Sequence, residues 1–225
     1  MIERFNSFTI NEKLSIKNDN IINISILFTD IVKSSELWRD HKNGMMEALE
    51  DQSVVFDRIS KKYNGTIIKT IGDAYMIAFK TIEESIKCAI ELQKKLNDNP
   101  IKINNKKIEI RSGICYGPVY ETYIDIQGNK LIDYLGNTVN TASRVESKVC
   151  KPGNVVFSSI IKDIDNDGIE KITEDYDVDM VSFNNTGDEI KSSSRLLTDV
   201  QRHTYKNIDE LKGINKIDVY QIKIK

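Results

Sequence analysis

The sequence predicts a mixed α/β (α+β) fold built on an antiparallel sheet, and three observations carry this prediction. Four apolar residues recur at every second position and alternate mostly with polar ones, which is the period of a half-buried strand. The apolar residues are Ile22, Ile24, Ile26 and Phe28, and the polar ones are Asn23, Ser25 and Thr29. Two β-rich apolar runs flank Gly72-Asp73, as in a hairpin with a tight turn. Amphipathic helical patterns separate these strands from their neighbours. The resulting order β, α, β, β, α, β is the ferredoxin-like arrangement, with the helices on one face of the sheet.

Length and composition limit the function classes. The 225 residues suffice for one domain with a full core, and 40% hydrophobic with 29% charged residues is ordinary for a soluble protein. A net charge of −2 gives no electrostatic basis for binding nucleic acid or anionic lipid. No apolar run reaches the length of a membrane span, and the three cysteines have no metal-ligand spacing. We expect a cytoplasmic protein without nucleic-acid or membrane partners.

The chain begins with a polar, patternless stretch over residues 1–18, which we interpret as a flexible lead-in to a single domain at 19–225. The first strand runs into Asp30, so that a carboxylate stands at a strand end. Ser34-Ser35-Glu36 is a capping pattern, and the apolar spacing after it predicts one long helix to about Ile59.

The hairpin at residues 65–79 follows. It holds a carboxylate, Asp73, at its tip and a cation, Lys69, inside an otherwise apolar strand. A charge on a buried strand is unfavourable unless a partner or ligand neutralises it. Taken alone, the hairpin favours the simpler interpretation that Asp73 only makes the turn and Lys69 extends to solvent. A second amphipathic helix is predicted from about Ile82 to Leu96.

The middle of the chain predicts a strand over residues 107–120, broken at Gly113 and at Gly117-Pro118, and then a hairpin arm at 123–132 that turns on Gly128. From about residue 136 a helix is expected, followed by a strand at 154–157. The helix has one apolar face and one polar face. Its apolar face consists of Val139, Ala142, Val145 and Val149, and its opposite face carries Asn140 and Arg144.

Regular patterning is lost between residues 160 and 207, which we interpret as an acidic and polar insert. Residues 163–168 with Glu174 satisfy the calcium-loop pattern of an EF-hand. Glu170 stands where an apolar residue normally pairs two such loops, and a strand-like alternation follows. We therefore favour a solvated acidic insert over a calcium switch. A β-rich tail at 217–224 predicts a C-terminal strand.

Three motifs now coincide with a known pattern, and Lys212-Gly213 before the terminal strand also fits it. The motifs are Ile26–Val32, Lys69–Met76 and Asp133–Glu146. In this order and spacing they make the chain similar to the catalytic domain of class III nucleotidyl cyclases, the adenylate and guanylate cyclase family. The resemblance covers about residues 22–157 and 210–223. It implies a palm-type ferredoxin-like core with an added hairpin arm and C-terminal strands.

The resemblance implies a reaction in which the ribose 3′-hydroxyl of a nucleoside triphosphate attacks the α-phosphate and pyrophosphate leaves. Asp30, Asp73 and the backbone carbonyl of Ile31 would then hold two Mg²⁺ (or Mn²⁺) ions, since hard cations require oxygen ligands. Asn140 would orient the ribose, and Arg144 would stabilise charge on the phosphoryl group in transit.

The same resemblance assigns base reading to Lys69 and Asp133 and the terminal phosphates to Lys212. A donor and an acceptor match the N1 and amino group of adenine, so ATP is favoured over GTP, although cytosine presents a similar edge. Family members build each site between two chains, and this chain holds every required residue, which implies a homodimer with two complete sites. We expect an adenylate cyclase that makes 3′,5′-cyclic AMP. The alternatives are a cyclase that uses GTP or a pyrimidine triphosphate, and an inactive cyclase-like regulatory module.

Overall fold

The computed structural model describes residues 14–15, 20–126, 128–161, 178–183, 189–191 and 219–224. Lys212 and the calcium-loop pattern at 163–174 lie outside the described residues, and the division into a lead-in at 1–18 and a single domain at 19–225 stays a prediction. No helix in the described part is long and apolar enough to cross a membrane.

Strands and helices follow one another in an order that contains the predicted βαββαβ core. The elements are β1 (Leu14–Ser15), β2 (Ile21–Ile31), α1 (Ser34–Asp40), α2 (Lys42–Lys62), β3 (Thr66–Ile71), β4 (Ala74–Phe79), α3 (Ile82–Asp98), β5 (Lys102–Ile103), β6 (Lys106–Lys107), β7 (Ile110–Ile126), β8 (Asn129–Leu135), α4 (Asn137–Arg144), a π-helical turn (Val145–Val149), β9 (Val155–Ser159), β10 (Val178–Phe183), β11 (Glu189–Lys191) and β12 (Val219–Ile224).

One large sheet organises the molecule. Its strand order is β11-β10-β12-β9-β7-β2-β4-β3, with β1 and β8 also paired to β7, while β5 and β6 form a small separate hairpin. The pairings are antiparallel except that of β7 with β9. The central order β7-β2-β4-β3 is that of a ferredoxin-like core, so the predicted fold class is confirmed.

The two faces of the sheet have separate cores, because successive residues of a strand point to opposite sides. Leu27 and Ile31 of β2 join the core under α2 and α3. Ile26 and Phe28 join a second core, to which Ala142 of α4 contributes. Two helices thus cover one face as predicted, and α4 covers the other. Asp30 continues the series of Ile26 and Phe28, which places it on the α4 side.

Two predictions about individual elements were wrong. The helix expected from Ser34 to Ile59 is interrupted at His41, whose backbone is non-helical (φ −144°, ψ 49°), and α1 is preceded by Lys33 in a left-handed conformation without a side-chain cap. The strand expected to break near Gly117-Pro118 is continuous. Pro118 lies between the part of β7 that pairs with β9 and the part that pairs with β8, so its missing N–H removes no ladder bond on that edge.

The C-terminal part adds strands to the sheet. β12 pairs with β9 and confirms the predicted terminal strand. β10 and β11 fall within residues 160–207, and β10, which begins in the stretch where a strand-like alternation was noted, pairs with β12. The interpretation of residues 160–207 as an acidic and polar insert stays a prediction.

Candidate active site

The β3–β4 hairpin brings one acidic side chain to the end of β2. Gly72, at φ +65°, adopts the left-handed conformation that lets the turn close, and Asp73 completes the turn. Because β4 pairs with β2, the turn lies beside the last residues of β2. The Asp73 Oδ2 accepts a hydrogen bond from the backbone N–H of Ile31 at 3.2 Å. Two aspartates from distant segments, Asp30 and Asp73, therefore lie together.

Electrostatics make this pair of carboxylates a candidate cation site. Burial raises the pKa of Asp73, and the negative charge of Asp30 raises it further. Asp73 is only 8% exposed, so water screens this repulsion weakly. A bound cation would relieve it.

The donor set fits magnesium that is shared with a substrate. The described residues contain no group of three or more His, Cys, Asp and Glu side chains that could hold a metal by themselves. Mg²⁺ typically binds through one or two carboxylates together with substrate phosphates and waters. Asp30, Asp73 and the adjacent backbone of Ile31 offer this kind of partial site.

Two further charged residues, which sequence reasoning missed, adjoin Asp30. Arg111 lies directly opposite Asp30 in the β2–β7 register, and its Nη2 donates to Asp30 Oδ2 at 2.7 Å. Its Nε lies 3.0 Å from Glu146 Oε1, and its Nη1 donates to the carbonyl of Ser147 at 3.3 Å. An arginine among the apolar residues at the start of this strand was the available signal, and it resembles the signal that singled out Lys69.

Glu146 is held against β7 by close backbone packing. A Cβ at Gly113 would lie 2.3 Å from the backbone nitrogen of Glu146, so only glycine permits this approach of the π-helical turn. Burial raises the pKa of Glu146 to about 7; Arg111 opposes this effect, and the charges of Asp30 and Asp73 add to it. The turn that follows α4 is thus fixed beside the aspartate pair.

The predicted base-reading residues contact each other. Lys69 Nζ donates to both oxygens of Asp133, at 2.8 and 2.6 Å, and Asp133 also accepts the N–H of Tyr134 at 2.8 Å. A bulge between Ile67 and Lys69 shifts the register of β3, and bulges commonly re-aim side chains. The Lys69 side chain is 38% exposed and that of Asp133 is 8% exposed, so the pair lies at a surface.

α4 carries the last two described site residues. Ala142 and Val145 are buried, whereas Asn140 is exposed and Arg144 is half-buried, which confirms the predicted division of helix faces. In the described part of the chain, neither Asn140 nor Arg144 has a side-chain hydrogen bond or ion pair. The structure therefore forms three groups: Asp30 with Asp73, Lys69 with Asp133, and the polar face of α4.

A ferredoxin-like sheet with these three groups is the arrangement that the resemblance to nucleotidyl cyclase catalytic domains implies. Residues 16–186 match the family described as "Adenylate and Guanylate cyclase catalytic domain", and the chain belongs to this family. The class III resemblance seen in the motifs is thereby confirmed.

Relatives of both nucleotide types are similar to this chain. The adenylate cyclase of Lachancea kluyveri is 32% identical over 156 residues, covering 61% of this chain and 8% of that protein. The adenylate cyclase of Neurospora crassa is 28% identical over 222 residues, covering 88% and 10%. This chain therefore spans about a tenth or less of the length of these relatives. The guanylate cyclase domain of RhGC from Catenaria anguillulae, solved with GTP, has a TM-score of 0.62 at 20% identity, covering 90% of this chain and 97% of that one.

Proposed function

We propose that the protein is an adenylate cyclase that converts ATP to 3′,5′-cyclic AMP and pyrophosphate. The contact between Lys69 and Asp133 carries this proposal, because it provides one donor and one acceptor at the same point of the surface. Adenine presents an acceptor at N1 and a donor at its amino group, so the pair complements it. Guanine reverses this pattern. Each side chain would exchange its partner in the ion pair for the base.

Asp30, Asp73 and the carbonyl of Ile31 would hold two Mg²⁺ (or Mn²⁺) ions together with the triphosphate. The bound ions would supply charge neutralisation and a more acidic 3′-hydroxyl. The 3′ oxygen forms the new bond to the α-phosphorus, the bond to the β-phosphate oxygen breaks, and the hydroxyl proton is released.

The polar face of α4 would stabilise the phosphoryl group in transit and orient the ribose. Arg144 has no ion pair within the described residues, so its guanidinium is available to a phosphoryl group whose charge rises in the transition state. Asn140 is exposed one turn earlier and would orient the ribose. We assign Lys212 to the terminal phosphates by its motif alone.

The active unit in this proposal is a homodimer whose two sites each draw on both chains. Apolar side chains are exposed around the site groups: Ile71 on β3 is 58% exposed, Leu131 on β8 is 54% exposed and Tyr120 on β7 is 46% exposed. Their burial against a second copy would stabilise such a dimer. Asp30 and Asp73 would serve one site, and Arg144 of the same chain would serve the other. The cytoplasmic location stays a prediction.

The direct test is to incubate the purified protein with ATP, GTP, CTP or UTP, with Mg²⁺ or Mn²⁺, and to identify the products by mass. We expect cyclic AMP and pyrophosphate from ATP at the highest rate. An Asp30→Asn variant purified in parallel controls for contaminating cyclases. If GTP or a pyrimidine triphosphate reacts faster, that nucleotide and not ATP is the preferred substrate. No product from any nucleotide would indicate an inactive cyclase-like module.

A further inference from the structure

Arg111 lies between two carboxylates and binds them unequally. Its Nη2 makes an aligned hydrogen bond of 2.7 Å to Asp30. Its Nε is 3.0 Å from Glu146 Oε1, but these two buried atoms form no aligned hydrogen bond with each other or with any other described group. The guanidinium is a rigid planar fork, and in this position its Nη2 aligns with Asp30 while its Nε does not align with Glu146.

Glu146 therefore offers Arg111 a second position. If Arg111 moved away from Asp30, its Nε and Glu146 Oε1 could align and satisfy each other. A buried polar atom without a hydrogen bond is unfavourable, so this realignment would offset part of the cost of leaving Asp30. Gly113 holds the backbone of Glu146 close to β7, so the second carboxylate stays within reach.

The contact with Asp30 bears directly on cation binding. The oxygen that accepts from Arg111 belongs to a carboxylate that we propose as a metal ligand. A positive group at 2.7 Å competes with a metal ion for this carboxylate and repels the ion. The strength of both effects depends on how far Glu146 neutralises or withdraws the guanidinium.

We infer that Arg111 competes with the divalent cation for Asp30 and that Glu146 is a positioning residue that weakens this competition. The inference rests on the proposed function, in which Asp30 is a metal ligand. Glu146 does not itself contact substrate or metal in this scheme. It acts through Arg111, and it lies two residues after Arg144, so it joins the metal group to the helix with the proposed phosphoryl-binding arginine.

The inference predicts effects of opposite sign from the two partners. Glu146→Gln keeps the shape but removes the charge, so Arg111 stays on Asp30 and cation binding weakens. Arg111→Gln removes the competitor, so cation binding tightens. We expect each shift in the dissociation constant to be about three- to tenfold, below the full effect of a neighbouring charge on a carboxylate because solvent and relaxation damp it. General damage to the site would weaken binding in both variants.

The experiment is a titration of each variant with Mn²⁺ alone, without nucleotide, at a pH above the raised pKa of Glu146. Free Mn²⁺ is measured by electron paramagnetic resonance. This readout is independent of turnover. Glu91→Gln is the matched control, because Glu91 is also a partly buried, ion-paired glutamate, bonded to Lys62 on the helix-covered face. It should bind Mn²⁺ like the wild type. In an Asp30→Asn background, the effects of both test substitutions should vanish.

Opposite shifts would support the inference; shifts in the same direction, or none, would overturn it. Circular dichroism checks that each variant is folded. If Glu146→Gln does not fold, Glu146→Asp keeps the charge but withdraws it by one methylene and should weaken Mn²⁺ binding by a smaller factor. A wild type that binds no Mn²⁺, either alone or with a non-cyclisable nucleoside triphosphate added, would remove Asp30 as a ligand and overturn the inference as well. If the two variants show opposite shifts but the wild type makes no cyclic nucleotide, only the proposed activity is refuted.

Discussion

Two regions of this molecule each pair an aspartate with a cation from another strand, yet they differ in charge balance. Asp133 and Lys69 form a one-to-one pair with both carboxylate oxygens satisfied. Asp30 and Arg111 belong to a cluster with two more acids, Asp73 and Glu146. In this cluster three carboxyl groups face one guanidinium, so the acids outnumber the cation. The balanced pair suits recognition of a neutral base, and the acidic cluster suits a divalent cation.

Packing reinforces this difference. The acidic cluster is fixed by the turn at Gly72 and by the close contact at Gly113, so its groups cannot separate to relieve repulsion. The Lys69 side chain is 38% exposed and can move without disturbing the core. We expect the acidic cluster to depend on an added ion and the balanced pair to depend only on its own two members.

The largest effect should come from damaging the acidic cluster in one chain and the proposed phosphoryl-binding arginine of α4 in the other. Asp73→Ala removes a proposed metal ligand and Arg144→Ala removes the proposed stabilisation of the transition state, so each homodimer should be inactive. When the two variants are combined, random exchange of chains makes half of the dimers heterodimers. Each heterodimer has one intact site out of two. Cyclic AMP synthesis should recover to about 1/2 × 1/2, or a quarter, of wild type.

Exchange of chains must be verified, for instance by co-purifying differently tagged copies. A mixture that stays inactive although mixed dimers form would rule out a site shared between chains. It would leave the comparison of the two regions intact, but within a single chain.

The next effect concerns the balanced pair. Lys69→Glu combined with Asp133→Cys exchanges the donor and acceptor, so the kcat/KM ratio of ATP to GTP should fall by about 10- to 100-fold, the range for one hydrogen bond to a charged group. Asp133→Cys alone serves as the control, and it should lower ATP use without raising GTP use. An unchanged ratio in the double variant would mean that these residues do not read the base.

The sequence predicted the parts of this site that local patterns encode. Alternation in β2 and the turn at Gly72 determine where Asp30 and Asp73 stand, and pairing of adjacent strands brings them together. The position of Asn140 relative to Arg144 follows from helical periodicity. These inferences need only the periods of strands and helices and the order of the elements.

Contacts that depend on three-dimensional packing were missed. Arg111 and Glu146 are 35 residues apart, and they meet because the π-helical turn lies against Gly113. The glycine suggested a strand break in the sequence, whereas it allows a close approach in the structure. The sequence also did not indicate the interruption of the helix at His41, because the apolar spacing continues across that residue.

The smallest effect is expected on the free energy of unfolding when one aspartate in each region is replaced by asparagine. Without divalent cations, Asp73→Asn should raise the free energy of unfolding, because it removes a buried charge that Asp30 repels while an amide oxygen can still accept from Ile31. The gain should be about 0.2–1 kcal/mol, the size of like-charge effects between adjacent strands. Asp133→Asn should instead lower the free energy of unfolding by about 1 kcal/mol, because Lys69 loses its charged partner.

The stability difference between Asp73→Asn and the wild type should depend on pH. A change in packing alone would give the same difference at every pH. Because the folded pKa of Asp73 is raised, folded protein keeps a proton that unfolded protein releases once the pH passes the usual carboxyl value of about 4. Stability therefore falls as pH rises through the window up to the raised pKa. Asparagine does not titrate, so the advantage of Asp73→Asn over wild type should be absent below pH 4, grow through that window and then level off. Urea unfolding in chelator, at one protein concentration, measures it. An advantage that is the same at every pH would show that Asp73 is not destabilised by charge, and the contrast between the two regions would then fail.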